Sequence, residues 1–294
     1  MNNILVLGWY GKHNIGDESY KLAIPKLFPE ANVTFSDYIN KKLIEKNDQF
    51  IMGGGDIISP KFLQEFNKIN KPKIILSVTA NKIYTDNNVP VYVRDKQSLQ
   101  IFKDNKVECN YLPDASMVLT PNKENGKQII KQYFKERDLY NKVICVVING
   151  HLMNSTTPKD KTAFDNFCYS FASAMDNYPA SFLFVPFDCE LPNDDRYAEA
   201  AVIHKAKFWK KNTIIFDRIG VQNTLDLISA CDGIVSSRLH STIFGVIGGI
   251  PIIDITHNHK NQWFLETIGR ENWSLPYHNF NTKTFLSFLN SDFD

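Results

Sequence analysis

A chain of 294 residues is long for one ordinary domain and sufficient for two of roughly 120–150 residues each. With 43% hydrophobic and 22% charged residues it has the composition of a folded, water-soluble protein, which excludes a disordered or fibrous one. A net charge of +1, without any Lys/Arg block, makes no case for a nucleic-acid partner, although it allows a locally basic cleft.

Five cysteines (Cys109, Cys145, Cys168, Cys189, Cys231) are odd in number and scattered, with no C-x-x-C pair. They read as reduced residues of a cytoplasmic protein, not as a disulfide or zinc framework. Met1-Asn2-Asn3 carries no basic leader, and Ile4-Leu5-Val6-Leu7 is far too short for a signal or a transmembrane segment. Any lipid-linked substrate would be met at a membrane face.

In chain order, Ile4–Leu7 is a buried-strand candidate followed by the loop Gly8 to Glu18. A helix then has Tyr20, Ile24, Leu27 and Phe28 along one side. Strand, glycine-bearing loop and helix open a doubly wound unit, but the loop is not G-x-G-x-x-G, so a dinucleotide fingerprint is absent. Asn14, Gly16 and Asp17 either shape a ligand loop or cap the helix, the cap being the simpler reading. Val33-Thr34-Phe35 is a second strand. Gln49–Met52 is a third, and it ends in Gly53-Gly54-Gly55-Asp56, where backbone can approach a ligand or an adjoining loop. Ile74–Val78 is a fourth strand, Val91-Tyr92-Val93-Arg94-Asp95 runs from strand into helix, and Tyr111-Leu112-Pro113-Asp114 closes this half.

The polar stretch 123–139 is taken as the connection. Val143–Ile148 starts the second half as an apolar strand, and a helix over 160–177 comes next, with Phe164, Phe167, Phe171 and Met175 as a core stripe. After the strand Ser181–Pro186 come Asp188, Glu190, Asp194 and Asp195. No metal is expected from them, since Asp194-Asp195 suits a helix amino end. A helix to about residue 209, the strand Thr213–Phe216 and the helix Val221–Ala230 lead to Gly233-Ile234-Val235.

The chemistry is expected directly after that strand, at Ser236-Ser237-Arg238-Leu239-His240. These residues open a helix that runs to Gly249-Ile250-Pro251 before the strand Ile252–Ile255. The seryl pair can cap the helix, whose free amides favour an anion. Arg238 adds a planar fork suited to phosphate or carboxylate, and His240 lies in the first turn. A plainer alternative pairs Arg238 with a nearby Asp and buries His240 in the core. Beyond Ile255, Lys260 with His257 or His259 stands at the carboxyl end of a strand, where it could contact an anion. A zinc pair is not expected there.

Several of these segments together resemble one family. Asn14-Ile15-Gly16-Asp17-Glu18, Gly53-Gly54-Gly55-Asp56, Val93-Arg94-Asp95 with Ser98, Pro113-Asp114, and Ser237-Arg238-Leu239-His240 running to Gly249-Ile250-Pro251 occur in the order found in polysaccharide pyruvyl transferases. They spread over most of the chain. The resemblance implies an α/β protein of GT-B-like architecture, with two doubly wound parallel-sheet domains facing a cleft, placed here at 1–122 and 140–294. It implies transfer of a pyruvyl group from phosphoenolpyruvate, as a substrate and without a cofactor, to the hydroxyls of a sugar or glycan acceptor as a ketal. Arg238 and His240 are then the catalytic pair. Asn14, Gly16, Asp17, Gly54, Gly55, Asp56, Arg94, Ser237 and Lys260 are the candidate substrate-binding residues. Asp17, Asp56, Asp95 and Asp114 are candidates for a base or an acceptor-orienting group, with no choice among them. A GT-B glycosyltransferase using a sugar nucleotide, or a non-catalytic sugar- or nucleotide-binding protein, would share the topology. Ser19 and the segment Gly150-His151-Leu152-Met153 depart from the family pattern.

Overall fold

Helices on both faces bury the strands of a parallel sheet, so its strands read as continuous apolar runs. The apolar runs of this sequence behave in that way. The computed structural model describes residues 2–55, 60–80, 82, 89–134, 141–154, 157–208 and 211–292. The chain divides into two units, Met1–Leu119 with Glu266–Gly269, and Thr120–Leu265 with Arg270–Asp294.

In the first unit, β1 (Asn2–Leu7), α1 (Ile15–Leu27), β2 (Ala31–Ser36), α2 (Lys41–Lys46), β3 (Gln49–Gly55), α3 (Pro60–Asn67), β4 (Lys73–Val78), β5 (Val91–Val93), α4 (Lys96–Asp104) and β6 (Asn110–Tyr111) succeed one another. All strand pairs are parallel, in the order β2-β1-β3-β4-β5-β6. The chain reverses its direction of winding between β1 and β3. Leu5, Leu7, Phe50, Met52, Ile75, Val91, Val93 and Phe102 form one continuous core. Gly54, at φ +85°, shows what the glycine run does. A β-carbon there would stand 2.4 Å from the Tyr20 ring, so only glycine lets the β3 end close over it.

The second unit holds α5 (Lys123–Tyr133), β7 (Val143–Val147), α6 (Pro158–Asn177), β8 (Ser181–Phe184), α7 (Asp195–Lys205), β9 (Asn212–Ile214), α8 (Val221–Ser229), β10 (Gly233–Ser236), α9 (Leu239–Gly248), β11 (Ile252–Thr256), α10 (His259–Ile268), β12 (Ser274–Pro276) and α11 (Thr282–Asp292). Its sheet is parallel too, ordered β12-β11-β10-β7-β8-β9. The stretch 123–139, read from sequence as a connection, contains α5. That helix belongs to this unit and is held to α8 by Asp226, which accepts from Asn122 N and Asn125 Nδ2 at 2.7 Å each.

The expected stripe on α6 is core. Phe167 meets Phe280 at 4.8 Å between ring centroids, and Phe171 meets Phe285 of α11 at 4.8 Å. Burying each such ring is worth about 1.5–3 kcal/mol, so this cluster closes one face of the sheet with the chain's own carboxyl-terminal helix. The five cysteines are free thiols, all buried except Cys109.

Candidate active site

The second sheet also reverses winding, here between β10 and β7, its two central strands. In a doubly wound sheet the loops leaving the carboxyl ends of the strands diverge at that reversal and leave a crevice where ligands bind. The Ser236–His240 motif leaves β10 at this point. The Asn149–Leu152 turn leaves β7 beside it, tied by Ser237 N donating to Val147 O at 2.9 Å.

One carboxylate organises the loops. Asp195, the first residue of α7, is fully buried. Its Oδ1 accepts from Gly150 N at 2.8 Å and from Arg238 Nη2 at 2.5 Å, while Oδ2 accepts from Phe187 N at 2.9 Å, Asp188 N at 3.0 Å and Arg238 Nε at 2.7 Å. The ends of β7, β8 and β10 thus meet on a single side chain. Asp194 is the N-cap beside it, accepting from Arg196 N at 3.0 Å, which is the helix-start role read from sequence. One turn further along α7, the fully buried Glu199 has no hydrogen-bond partner on either oxygen among the described residues. Burial and then the charge of Asp195 push it well above the usual carboxylate range, against weaker opposition from the Ile148 backbone and Arg238.

Arg238 follows the plainer of the two sequence readings: it pairs with an Asp. Its guanidinium grips Asp195, lies 3.6 Å from Asp188 and donates to Asn193 O at 3.3 Å. The expected serine cap is absent. Arg238 occupies the N-cap of α9 and no side chain caps the helix. Ser236 Oγ accepts from Arg238 N at 3.2 Å, and Ser237 Oγ accepts from Asn149 N at 2.7 Å, so the seryl pair fixes loops instead. The Arg238 side chain makes no capping bond, and the amino end of α9 keeps its partial positive charge. His240 lies in the first turn, 9% exposed.

Further basic residues lie near this turn. His257 follows β11, and its Nε2 takes donors from Asn258 Nδ2 at 2.9 Å and Asn149 Nδ2 at 3.3 Å. Its Nδ1 therefore carries the hydrogen, and the ring is neutral. Burial, with Arg238, His151 and Lys260 adding to it and the Ile255 backbone opposing, holds its pKa down at about 4. Lys260 is in the first turn of α10, where Asn258 Oδ1 accepts from its backbone N–H at 3.0 Å. His259 begins α10 and packs on Trp263 at 4.6 Å between centroids, so it does not stand on a strand as expected. His151, in the β7 turn, was not among the sequence candidates. A lone histidine after a strand has no pattern, and only the fold brings it beside Arg238.

In the first unit the candidates mostly serve the fold. Asn14 caps α1, its Oδ1 accepting from Gly16 N at 3.0 Å and Asp17 N at 3.3 Å. The Asp17 carboxylate covers Gly55, where a β-carbon would lie 2.9 Å from its Oδ1. Tyr10 Oη donates to Gly53 O at 2.8 Å, packing the two glycine loops together. Arg94, a candidate clamp, is instead 3% exposed and bound to Asp114 Oδ2 at 2.9 Å, Tyr20 Oη at 3.0 Å and Thr79 Oγ1 at 2.9 Å. Asp114 is consumed there and by Ser116, and Asp95 is the buried N-cap of α4, accepting from Ser98 N at 2.7 Å. Asp56 lies outside the described residues. Among the described residues no group of three or more His, Cys, Asp or Glu is placed to hold a metal ion. Nor is any of their helices long and apolar enough to cross a membrane.

A family model described as polysaccharide pyruvyl transferase matches residues 9–259. The chain belongs to this family. It is accordingly a transferase, and the polysaccharide pyruvyl transferase match takes in β2 to β11 and the whole Ser236–His240 turn. No curated protein matches the chain. Among solved structures, it is similar to ADP-heptose lps heptosyltransferase II of E. coli at 11% identity and TM-score 0.56, covering 99% of this chain and 98% of that one. It is similar also to UDP-GlcNAc 2-epimerase of Methanocaldococcus jannaschii in complex with UDP-GlcNAc and UDP, at 12% identity and TM-score 0.65, covering 100% and 93%. A glycosyl transferase family 9 protein of Veillonella parvula matches at 11% identity and TM-score 0.51, covering 99% and 96%. At such identities these likenesses show the fold alone, which is that of GT-B proteins.

Proposed function

We propose that this transferase moves the pyruvyl group of phosphoenolpyruvate to two hydroxyls of a sugar or glycan, forming a cyclic ketal and releasing phosphate. The reading is carried by the Ser237-Arg238-Leu239-His240 turn, held rigid by Asp195 at the winding reversal of the second sheet in a chain of this family. The donor's anionic groups lie against the open amino end of α9, with Arg238 and Lys260 as the adjacent cations. Ser237 fixes the loop beneath.

In the reaction His240 gives a proton to the methylene carbon, and the central carbon becomes electrophilic. A sugar hydroxyl adds to that carbon and loses its proton. The carbon–oxygen bond to phosphate then breaks, phosphate leaves with the bonding pair, and a second hydroxyl closes the ketal as its proton is released. One of the two hydroxyl protons restores His240. The positive helix end disfavours imidazolium in the free enzyme, and a bound multiply charged anion offsets it, which ties the acid's readiness to donor occupancy. General acid catalysis of this kind is worth about 10²–10⁴-fold.

A donor screen tests the reading. Phosphoenolpyruvate and a set of sugar nucleotides are each incubated with galactose-, mannose- and N-acetylhexosamine-type acceptors. Acceptor-dependent release of inorganic phosphate from phosphoenolpyruvate is expected. Release of nucleotide from a sugar nucleotide, with phosphoenolpyruvate untouched, would replace this reading with glycosyl transfer.

A further inference from the structure

The turn after β7 carries none of the motifs read from sequence, yet its backbone is tied closely to this edge of the sheet. Three consecutive N–H groups are satisfied: Asn149 N by Ser237 Oγ at 2.7 Å, Gly150 N by Asp195 Oδ1 at 2.8 Å, and His151 N by Asn149 Oδ1 at 3.0 Å. Two of those acceptors, Ser237 and Asp195, are fully buried. The Asn149 side chain also reaches His257 Nε2, joining the turn to the end of β11. At the tip His151 keeps part of its surface in solvent while the rest of the ring is covered, and neither ring nitrogen makes a hydrogen bond among the described residues. Holding the backbone firmly while leaving the imidazole unbonded contributes little to the fold. It does present an imidazole, on a firmly held backbone, to the charges of Arg238 and Lys260.

We infer that His151 is an oxyanion ligand of this site, binding a phosphate-type dianion as imidazolium and taking up its proton as the anion arrives. The charges that face it come from three elements: Arg238 at the β10–α9 turn and Lys260 on α10 oppose a proton on the ring, and Asp195 at the start of α7 favours it. Burial acts first and Arg238 next, so the pKa of His151 lies below its ordinary value. Asp188 stands 3.6 Å from Arg238 as a further carboxylate of this edge, and His257 stays neutral. A dianion placed among these groups reverses the balance at His151, since an opposite charge within a few ångströms raises an imidazole pKa. That the natural anion is phosphoenolpyruvate rests on the proposed pyruvyl transfer; the anion site itself does not.

The test uses inorganic sulfate, which keeps its charge across neutral pH and so reports protein protons alone, with phosphoenolpyruvate as a second probe. Calorimetry in buffers of different ionisation enthalpy counts the protons taken up. The wild type should bind sulfate more tightly at pH 6 than at pH 8, with net proton uptake near neutrality. His151→Gln should weaken sulfate and phosphoenolpyruvate by about tenfold or more, the value of one charge-assisted hydrogen bond, and lower the uptake to the share that His240 takes. His151→Lys should restore affinity while the uptake stays lowered, which a merely structural role would not produce. His240→Gln should remove the other share, and only His151→Gln with His240→Gln together should abolish the uptake. Unchanged affinity and proton uptake in His151→Gln, or no sulfate binding by the wild type, would overturn the inference. Proton-linked sulfate binding without any turnover of phosphoenolpyruvate would leave it standing and remove the donor reading instead.

Discussion

Asp195 and Arg238 show how far a single residue can be read. The Arg-Leu-His motif was plain in the sequence, as was the suitability of Asp194-Asp195 for a helix start. Their pairing across 43 positions was not, because it depends on which loops the sheet brings together. Arg94 misled for a related reason. Its place after a strand suited a ligand clamp, but its partners Tyr20 and Asp114 are 74 and 20 residues away, and the three lock the interior of the first unit. Buried titration is equally invisible in a sequence. Asp254 on β11 is fully buried and accepts from Thr242 Oγ1 at 2.7 Å, Asn261 Nδ2 at 2.6 Å and Thr256 Oγ1 at 2.9 Å, with no cation among these partners. Burial, opposed by these hydrogen bonds, raises its pKa from 3.8 to about 6. The sign follows directly: the folded protein holds this proton more tightly than the unfolded chain does. The group's contribution is therefore fully present below the unfolded value and lost as pH rises through about 6. A shift of this size corresponds to about 3 kcal/mol. Asp254→Asn should gain about that much relative to wild type between pH 4 and pH 7 in urea titrations. A difference that stays constant with pH would contradict the assignment.

Elements were legible where periodicity and burial agree. The apolar runs Val143–Ile148 and Ile252–Ile255 became interior strands, and the Phe164 to Met175 stripe became the buried face of α6. Short or polar elements were not: α2 is a single-turn-and-a-half segment rich in lysine, and β6 is two exposed residues paired to β5. Both exist because neighbours supply what their own sequence lacks. The Gly150–Leu152 turn belongs here too. A β-carbon at Gly150 would stand 2.4 Å from Asn193 O, a backbone atom two residues before Asp195. Gly150→Ala must push that segment away and loosen the grip of Asp195 on Arg238. Stability should fall by about 1–3 kcal/mol, the usual cost of overpacking. Misplacement of this size at a reacting centre costs up to about 10²-fold, so kcat/KM should fall by at least tenfold. Wild-type kinetics in this variant would show that the turn does not position the site.

At the scale of the whole molecule, two doubly wound sheets of different strand order have been put to different uses. At its reversal point the first closes with its own side chains: Tyr10 bridges the loops and Tyr20 sits under Gly54. The second carries an uncapped helix start, a fixed arginine, a lysine and three histidines at the corresponding position. A net charge of +1 hides that concentration, which is why composition bounded the partners without naming one. The architecture, by contrast, was available from the alternation of strands and helices, and the family from segments that are individually weak but correctly ordered. The central claim is that an imidazole-bearing turn protonates the methylene of phosphoenolpyruvate before the sugar captures its central carbon. Turnover in deuterium oxide tests it most directly. The account predicts an acceptor heavier by one pyruvate less one water, whose new methyl group carries one deuteron. An acceptor product that keeps the methylene double bond, or a methyl group free of deuterium, would contradict it.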